Sequence, residues 1–307
     1  MSIKRRDLIK GSAGAGLIAA GNWGHLLAAE EGPLIMAAIP SSGQKVPAVG
    51  IGTVGFRGNP GSPEIQIFRE TLDAFQRGGG SLIDTSPNYG NSEHVLGGLM
   101  KDLDIRDQMF VATKVDREDR EAGIERMDSS SKRLGGDRID LMQVHNLRGT
   151  NIQLETMNGW KEQGRFRYVG ITTHTSRQYE EFERSMREHK LDFIQVNYSL
   201  ADRGANQRIL PLAQDNGVAV LVNRPFGKGR LFQAVGDRPL PDWAPEIDAT
   251  SWGQVFLKYV VSHPAATIPI PGTTKPHHAA DNMGALSGRL PDQKLRGEME
   301  RFMDSLL

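Results

Sequence analysis

The chain of 307 residues has no cysteine, and that single absence removes disulfides, thiolate metal sites and cysteine nucleophiles together. It also excludes a lipid-modified cysteine near the N-terminus, and it suits an oxidising compartment. An excess of one charge is lacking as well: 37 Lys and Arg balance 37 Asp and Glu, for a formal net charge of zero. No long-range field therefore calls for a nucleic acid or an anionic membrane as partner. Long hydrophobic runs are missing too. The weakly apolar stretch at 11–20 is short and rich in glycine, so no stable membrane anchor is expected. What remains is 38% hydrophobic and 24% charged, the composition of a soluble globular protein with room for one large α/β barrel or two modest domains.

Residues 1–30 do not read as part of a fold. Arg5-Arg6 precede Leu8-Ile9 and Lys10, a glycine- and alanine-rich stretch follows, and small residues surround Ala28-Ala29-Glu30. The arrangement resembles a twin-arginine export signal, an address read by the Tat export machinery. It implies a signal at 1–30, a single domain at 31–307, and a periplasmic mature protein.

From about residue 34 the pattern alternates between short apolar runs and longer amphipathic stretches. Residues 34–39 and 45–49, split by Pro40-Ser41-Ser42-Gly43, predict an opening hairpin. Strand-like runs follow at 48–53, 81–85, 109–115, 139–145, 167–172, 192–198, 218–223 and 266–270. Helix-like stretches lie between them at 64–77, 93–101, 120–134, 151–163, 176–187, 206–215 and 252–262, and 293–306 reads as a closing helix. The runs are β-branched and do not alternate, which suits strands covered on both faces. Eight strand–helix units without a composition break predict a closed (β/α)8 barrel rather than an open doubly wound sheet. Gly50-Ile51-Gly52-Thr53-Val54-Gly55 has the letters of a dinucleotide fingerprint, but Gly50 and Gly52 fall inside the strand, and Pro60, Gly61 and Pro63 intervene before any helix.

Chemistry concentrates at the ends of successive strands. Asp84 ends the second, Tyr89 stands on the loop after it, Lys114 ends the third and His145 the fourth. In a barrel these ends converge on one mouth. A tyrosine with a free pKa of about 10 is a reluctant acid, and a nearby ammonium stabilises its phenolate and lowers that pKa. Lys114 supplies the ammonium, Asp84 keeps it charged and oriented, and His145 hydrogen-bonds the carbonyl oxygen. The set predicts a carbonyl-reducing enzyme.

These residues, with Asp84-Thr85-Ser86-Pro87-Asn88-Tyr89-Gly90, Ser92-Glu93, Leu96-Gly97, Ala112-Thr113-Lys114 and Val144-His145-Asn146, resemble the aldo-keto reductases over roughly 46–286. The resemblance implies a TIM barrel, an extended nicotinamide cofactor across the strand ends, a small carbonyl or alcohol substrate, and no metal. It assigns Gly52, Thr53, Thr172, Thr173, Gln195, Arg224, Thr273, His278 and Asn282 to the cofactor. Thr172, Thr173 and Gln195 stand where the carboxamide is held. Arg224 replaces the tyrosine often found stacking on the ring, and is expected at the ring or the pyrophosphate. In the adenosine-phosphate segment Gly272 and His278 replace a lysine and an arginine. That loss weakens recognition of a 2′-phosphate, so the expectation is NADP(H) with NAD(H) possible. No long C-terminal loop is visible, which predicts an open site, with Phe56, Asn59, Trp160 and Phe226 as candidate lining.

Two other readings compete. One is a nicotinamide-binding regulatory subunit on the same barrel, the other a metal-dependent hydrolase, whose paired His-x-His spacing is missing. The export reading has a direct check: replacing Arg5 and Arg6 by lysine should retain the protein in the cytoplasm, and unchanged export on cell fractionation would refute it.

Overall fold

Apolar runs without alternation need cover on both faces, and in the computed structural model that need is met by a barrel. The structure describes residues 32–307 apart from Asp137 and Ala266, so the export reading of 1–30 lies outside the described residues. An antiparallel hairpin, β1 (Met36–Ala38) and β2 (Lys45–Pro47), comes first. Eight parallel strands follow in sequence order: β3 (Ile51–Gly52), β4 (Leu82–Asp84), β5 (Phe110–Val115), β6 (Ile139–Val144), β7 (Phe166–Thr172), β8 (Phe193–Asn197), β9 (Ala219–Asn223) and β10 (Thr267–Pro269). The ring closes where Gly50 N–H donates to Pro269 O at 2.9 Å and Gly52 N–H to Pro271 O at 3.1 Å. A Cβ on Gly50 would meet Leu82 O at 2.8 Å, so these glycines serve strand packing.

The outer layer comprises α1 (Pro63–Arg77), α2 (Ser92–Asp102), α3 (Arg120–Leu134), α4 (Thr150–Glu162), α5 (Tyr179–Glu188), α6 (Ile209–Asp215), α7 (Arg230–Val235), α8 (Trp252–Val261), α9 (Pro276–Met283) and α10 (Gln293–Asp304). Each buries a stripe, as α1 does with Phe68, Thr71, Leu72 and Phe75. Asp119, Ser251 and Asp292 cap α3, α8 and α10 by accepting a backbone N–H from the third residue on.

Two stretches differ from the sequence expectation. The helix expected at 206–215 begins as a 3-10 turn and restarts at Ile209, because Pro211 has no N–H to offer the carbonyl of Gln207. The region 224–251 carries no helical pattern, yet it folds into α7 and further short turns beside the strand ends. Inside the barrel, Phe110, Tyr168 and Phe193 fill the end where strands begin, with ring centroids 5.6–5.9 Å apart. The hairpin turn covers that end, its Ser42 and Gln44 meeting the Tyr168 hydroxyl at 2.8 and 2.7 Å. The opposite end is polar and carries the site.

Neighbouring glycines of α2 offer a test of this packing. A Cβ on Gly97 would lie 1.9 Å from Arg133 O of α3, whereas Gly98 has nothing within 4 Å. Gly97→Ala should lower stability by about 3 kcal/mol in denaturant unfolding, and Gly98→Ala should raise it by roughly 0.5–1 kcal/mol. Equal effects would contradict the α2–α3 contact.

Candidate active site

Four strands bring polar side chains to one level of the barrel lumen. Lys114 Nζ donates to Asp84 Oδ1 at 2.8 Å, to Asp84 Oδ2 at 2.7 Å and to Thr85 O at 2.7 Å. Both charged side chains are buried, 2% and 3% exposed. From β8, Gln195 Nε2 donates to Asp84 Oδ1 at 3.0 Å, and from β6, Gln143 Nε2 reaches the same oxygen at 3.4 Å. Thr53 fixes the Asp84 backbone, its N–H and hydroxyl both donating to Asp84 O at 3.0 Å. Gln143 was not singled out in the sequence, where it looks like one more residue of an apolar strand.

Tyr89 is held by its neighbours in the turn. Asn88 Nδ2 donates to Asp116 Oδ2 at 2.6 Å, Arg126 donates to Asn88 Oδ1 at 2.8 Å, and Asn91 Nδ2 donates to Gly58 O at 2.6 Å. Gly90 supplies the positive φ of 64° that lets the chain turn into α2. Below it Glu93 is buried and accepts from Thr113, Ser130 and Arg133 at 2.6, 3.1 and 2.8 Å, so this motif residue anchors α2. The Lys114 ammonium lies 5.3 Å from the Tyr89 ring centroid, and the His145 ring stands edge-on to it at 6.4 Å.

The electrostatics correct one expectation. Lys114 is the strongest influence on Tyr89 and pulls its pKa down, but burial and the Asp84 carboxylate outweigh it, leaving the phenol above its ordinary 10.0. The phenol therefore keeps its proton at neutral pH. Burial opposes the Lys114 charge, yet Asp84 and Tyr89 overcome it and raise the pKa, so the ammonium persists. His145 goes the other way. Burial, then the Lys114 charge, hold it at about 4, a neutral imidazole.

Asp84, Tyr89, Lys114 and His145 open onto a single cavity of about 950 Å³. Gly52, Thr53, Thr172, Gln195, Arg224, Thr273, His278 and Asn282 line it as well. Thr173 does not. Successive strand residues face opposite ways, and its hydroxyl turns to Gln178 Oε1 at 2.7 Å. Of the aromatic candidates only Phe226 lines the cavity. Phe56 is buried against Phe68 at 5.0 Å, and Trp160 carries Arg165 over its ring at 3.4 Å. Arg224 donates to His174 O at 3.3 Å and sits close enough to lower the Tyr89 pKa, which places it near the tetrad.

The sequence profile of the aldo/keto reductase family matches residues 48–297. The chain belongs to that family. It is 27% identical over 300 residues to the NADH-specific methylglyoxal reductase of Escherichia coli K12, covering 80% of this chain and 91% of that one. It is 26% identical over 298 residues to an NADP(+) aldo-keto reductase of Schizosaccharomyces pombe, covering 82% and 87%. Among solved structures, an aldo/keto reductase of Klebsiella pneumoniae in complex with NADP and acetate has the same fold, with a TM-score of 0.74 at 24% identity over 88% of this chain and 96% of that one. The regulatory-subunit reading gains no support from these relatives. Among the described residues no group of three His, Asp or Glu is placed to hold a metal ion.

Several features of this aldo-keto reductase fit a dinucleotide. Gln195 Oε1 is buried without a partner at the cavity wall, an acceptor suited to an amide N–H. Arg224 and Lys228 line the cavity from the segment after β9, with positive φ of 51° and 58°. Lys228 stands between Gly227 and Gly229, and that glycine bracketing was the signal available in the sequence. At the far end Ser251 and Gln254 hold the Asp281 carboxylate at 2.7 and 3.0 Å.

Buried neutral histidines make the reductase sensitive to acid. Burial holds both His145 and His263 at about 4, against 6.5 for an exposed ring. The unfolded chain binds protons that the folded chain refuses, so stability is full above 6.5 and lost as pH falls toward 4. The melting temperature should drop between about pH 7 and about pH 4.5, and less so in His263→Gln. A profile that is flat in the parent and the variant alike would refute the assignment.

Proposed function

We propose that this chain is an NAD(P)H-dependent reductase of small carbonyl compounds in which Tyr89 is the general acid. The observation that carries the reading is the buried Lys114–Asp84 pair beneath Tyr89, on the same cavity as His145. When bound, the nicotinamide supplies a hydride to the carbonyl carbon. The chain's own groups manage the oxygen. Tyr89 gives the oxygen its proton, and the Lys114 ammonium stabilises the phenolate that remains. Asp84 holds that ammonium in place, and neutral His145 donates a hydrogen bond that orients the carbonyl. The Tyr89 phenolate recovers a proton from solvent at the open mouth. Gln195 and Thr172 would hold the carboxamide, Arg224 and Lys228 the pyrophosphate, and Thr273, His278 and Asn282 the adenosine end.

NADP(H) is the first expectation and NAD(H) the second. Relatives of both habits support leaving the pair together, since one is named NADH-specific and another NADP(+). Within 272–282 Lys275 is the one lysine or arginine, and burial lowers the His278 pKa, so a 2′-phosphate meets little fixed positive charge there. Residues 1–30 are proposed as the Tat signal of a periplasmic protein, on the strength of Arg5-Arg6 and the residues after them. Export of a folded chain fits an enzyme loaded with dinucleotide before it leaves the cytoplasm.

Tyr89→Phe should lower kcat toward a panel of small aldehydes by about 100-fold to 10,000-fold while dinucleotide affinity, read by tryptophan fluorescence, stays unchanged. Retained turnover would sink the assignment of Tyr89.

A further inference from the structure

The tetrad leaves one question of proton placement, and a neighbouring hydroxyl answers it. Ser86 is fully buried, two residues beyond Asp84, and does not line the cavity. Its Oγ accepts the backbone N–H of Asn88 at 3.2 Å and lies 3.3 Å from His145 Nδ1. We propose that Ser86 is a positioning residue that sets the tautomer of His145, so that the ring presents Nε2–H rather than a lone pair to the substrate oxygen. The proposal rests on the reading of His145 as the group that orients the carbonyl.

A serine hydroxyl has one proton to give and two lone pairs to offer. Asn88 N–H takes up one lone pair, and in a buried site the hydroxyl proton needs an acceptor. Among the described residues, His145 Nδ1 is the acceptor within reach. An Nδ1 that accepts leaves the ring proton on Nε2. His145 Nε2 has no protein partner among the described residues, and the ring faces the cavity. The opposite tautomer would strand the Ser86 proton and point a lone pair at the carbonyl oxygen, which repels it. Burial keeps His145 neutral down to about pH 4, so across the neutral range there is one ring proton to place. Tyr89 stands edge-on to the ring, with centroids 6.4 Å apart. Asn146 and Leu147, both at positive φ, also fix the chain that follows it.

The test is the His145 tautomer in the full chain, read from ring nitrogen shifts by NMR and assigned by comparison with His145→Gln. The parent protein should carry the proton on Nε2 at neutral pH, and Ser86→Ala should shift the ring toward Nδ1–H or a mixture. In the same variant kcat should fall about tenfold or more while dinucleotide affinity holds. Ser86→Thr, which keeps the hydroxyl, should restore the Nε2–H tautomer. A parent ring protonated on Nδ1, or an unchanged tautomer in Ser86→Ala, overturns the proposal. The NMR readout needs no turnover, so failure here is distinguishable from retained turnover in Tyr89→Phe, which would instead remove the proposed function.

Discussion

A lysine ammonium and an aspartate carboxylate, each almost without solvent and 2.7 Å apart, sit where four barrel strands end their run. Neither charge can lose the other without stranding a buried ion, which typically costs about 3–5 kcal/mol. The surroundings are built to meet that demand. Gln143 and Gln195 donate to Asp84 from strands on the far side of the lumen, and Thr85 O takes the remaining reach of Lys114. Asp84 thereby ties β4 to β5, β6 and β8 at one level. The same carboxylate, with burial, opposes the ammonium's effect on Tyr89, so the phenol keeps its proton.

Around this fixed centre the loops accept strain. Non-glycine residues with positive φ cost on the order of 1 kcal/mol or more each, and three of them, Asn146, Arg224 and Lys228, line the cavity. Asn146 is held there: its N–H donates to Thr172 Oγ1 at 3.0 Å, and Gln178 Nε2 donates to its carbonyl at 2.9 Å. The packed barrel beneath supplies the stability that such positions draw on. It also separates two tasks, because the aromatic layer at the other end of the lumen carries packing and leaves the mouth free for polar groups.

Much of this was legible in the chain. Non-alternating apolar runs separated by amphipathic stretches led to eight covered strands, since burial on both faces leaves that mark on composition. That Asp84, Tyr89, Lys114 and His145 share one cavity was legible because Asp84, Lys114 and His145 lie at or beside strand ends and Tyr89 follows on the next loop, and a barrel sends strand ends to one face. The secondary structure of the segment 224–251 was not, although Arg224 and Phe226 within it were named. Glycine, proline and isolated aromatics there carry no period, and only their docking beside β9 and α8 gives them a shape. Of the aromatic candidates Phe226 lines the cavity, whereas Phe56 packs on Phe68 of the next helix and Trp160 is covered by Arg165, contacts that residue type alone does not reveal.

Residue order alone determined the barrel, the four groups of the site and the absence of any thiol chemistry, because periodicity and residue type are local properties. Tertiary structure decided what depends on three-dimensional neighbours: that Thr172 faces the cavity while Thr173 turns away, that Tyr89 keeps a raised pKa beside an ammonium, and that His145 stays neutral with Ser86 at its Nδ1. Those outcomes rest on distances of a few ångströms between strands, and at such distances the balance between burial and neighbouring charges sets the direction of each shift.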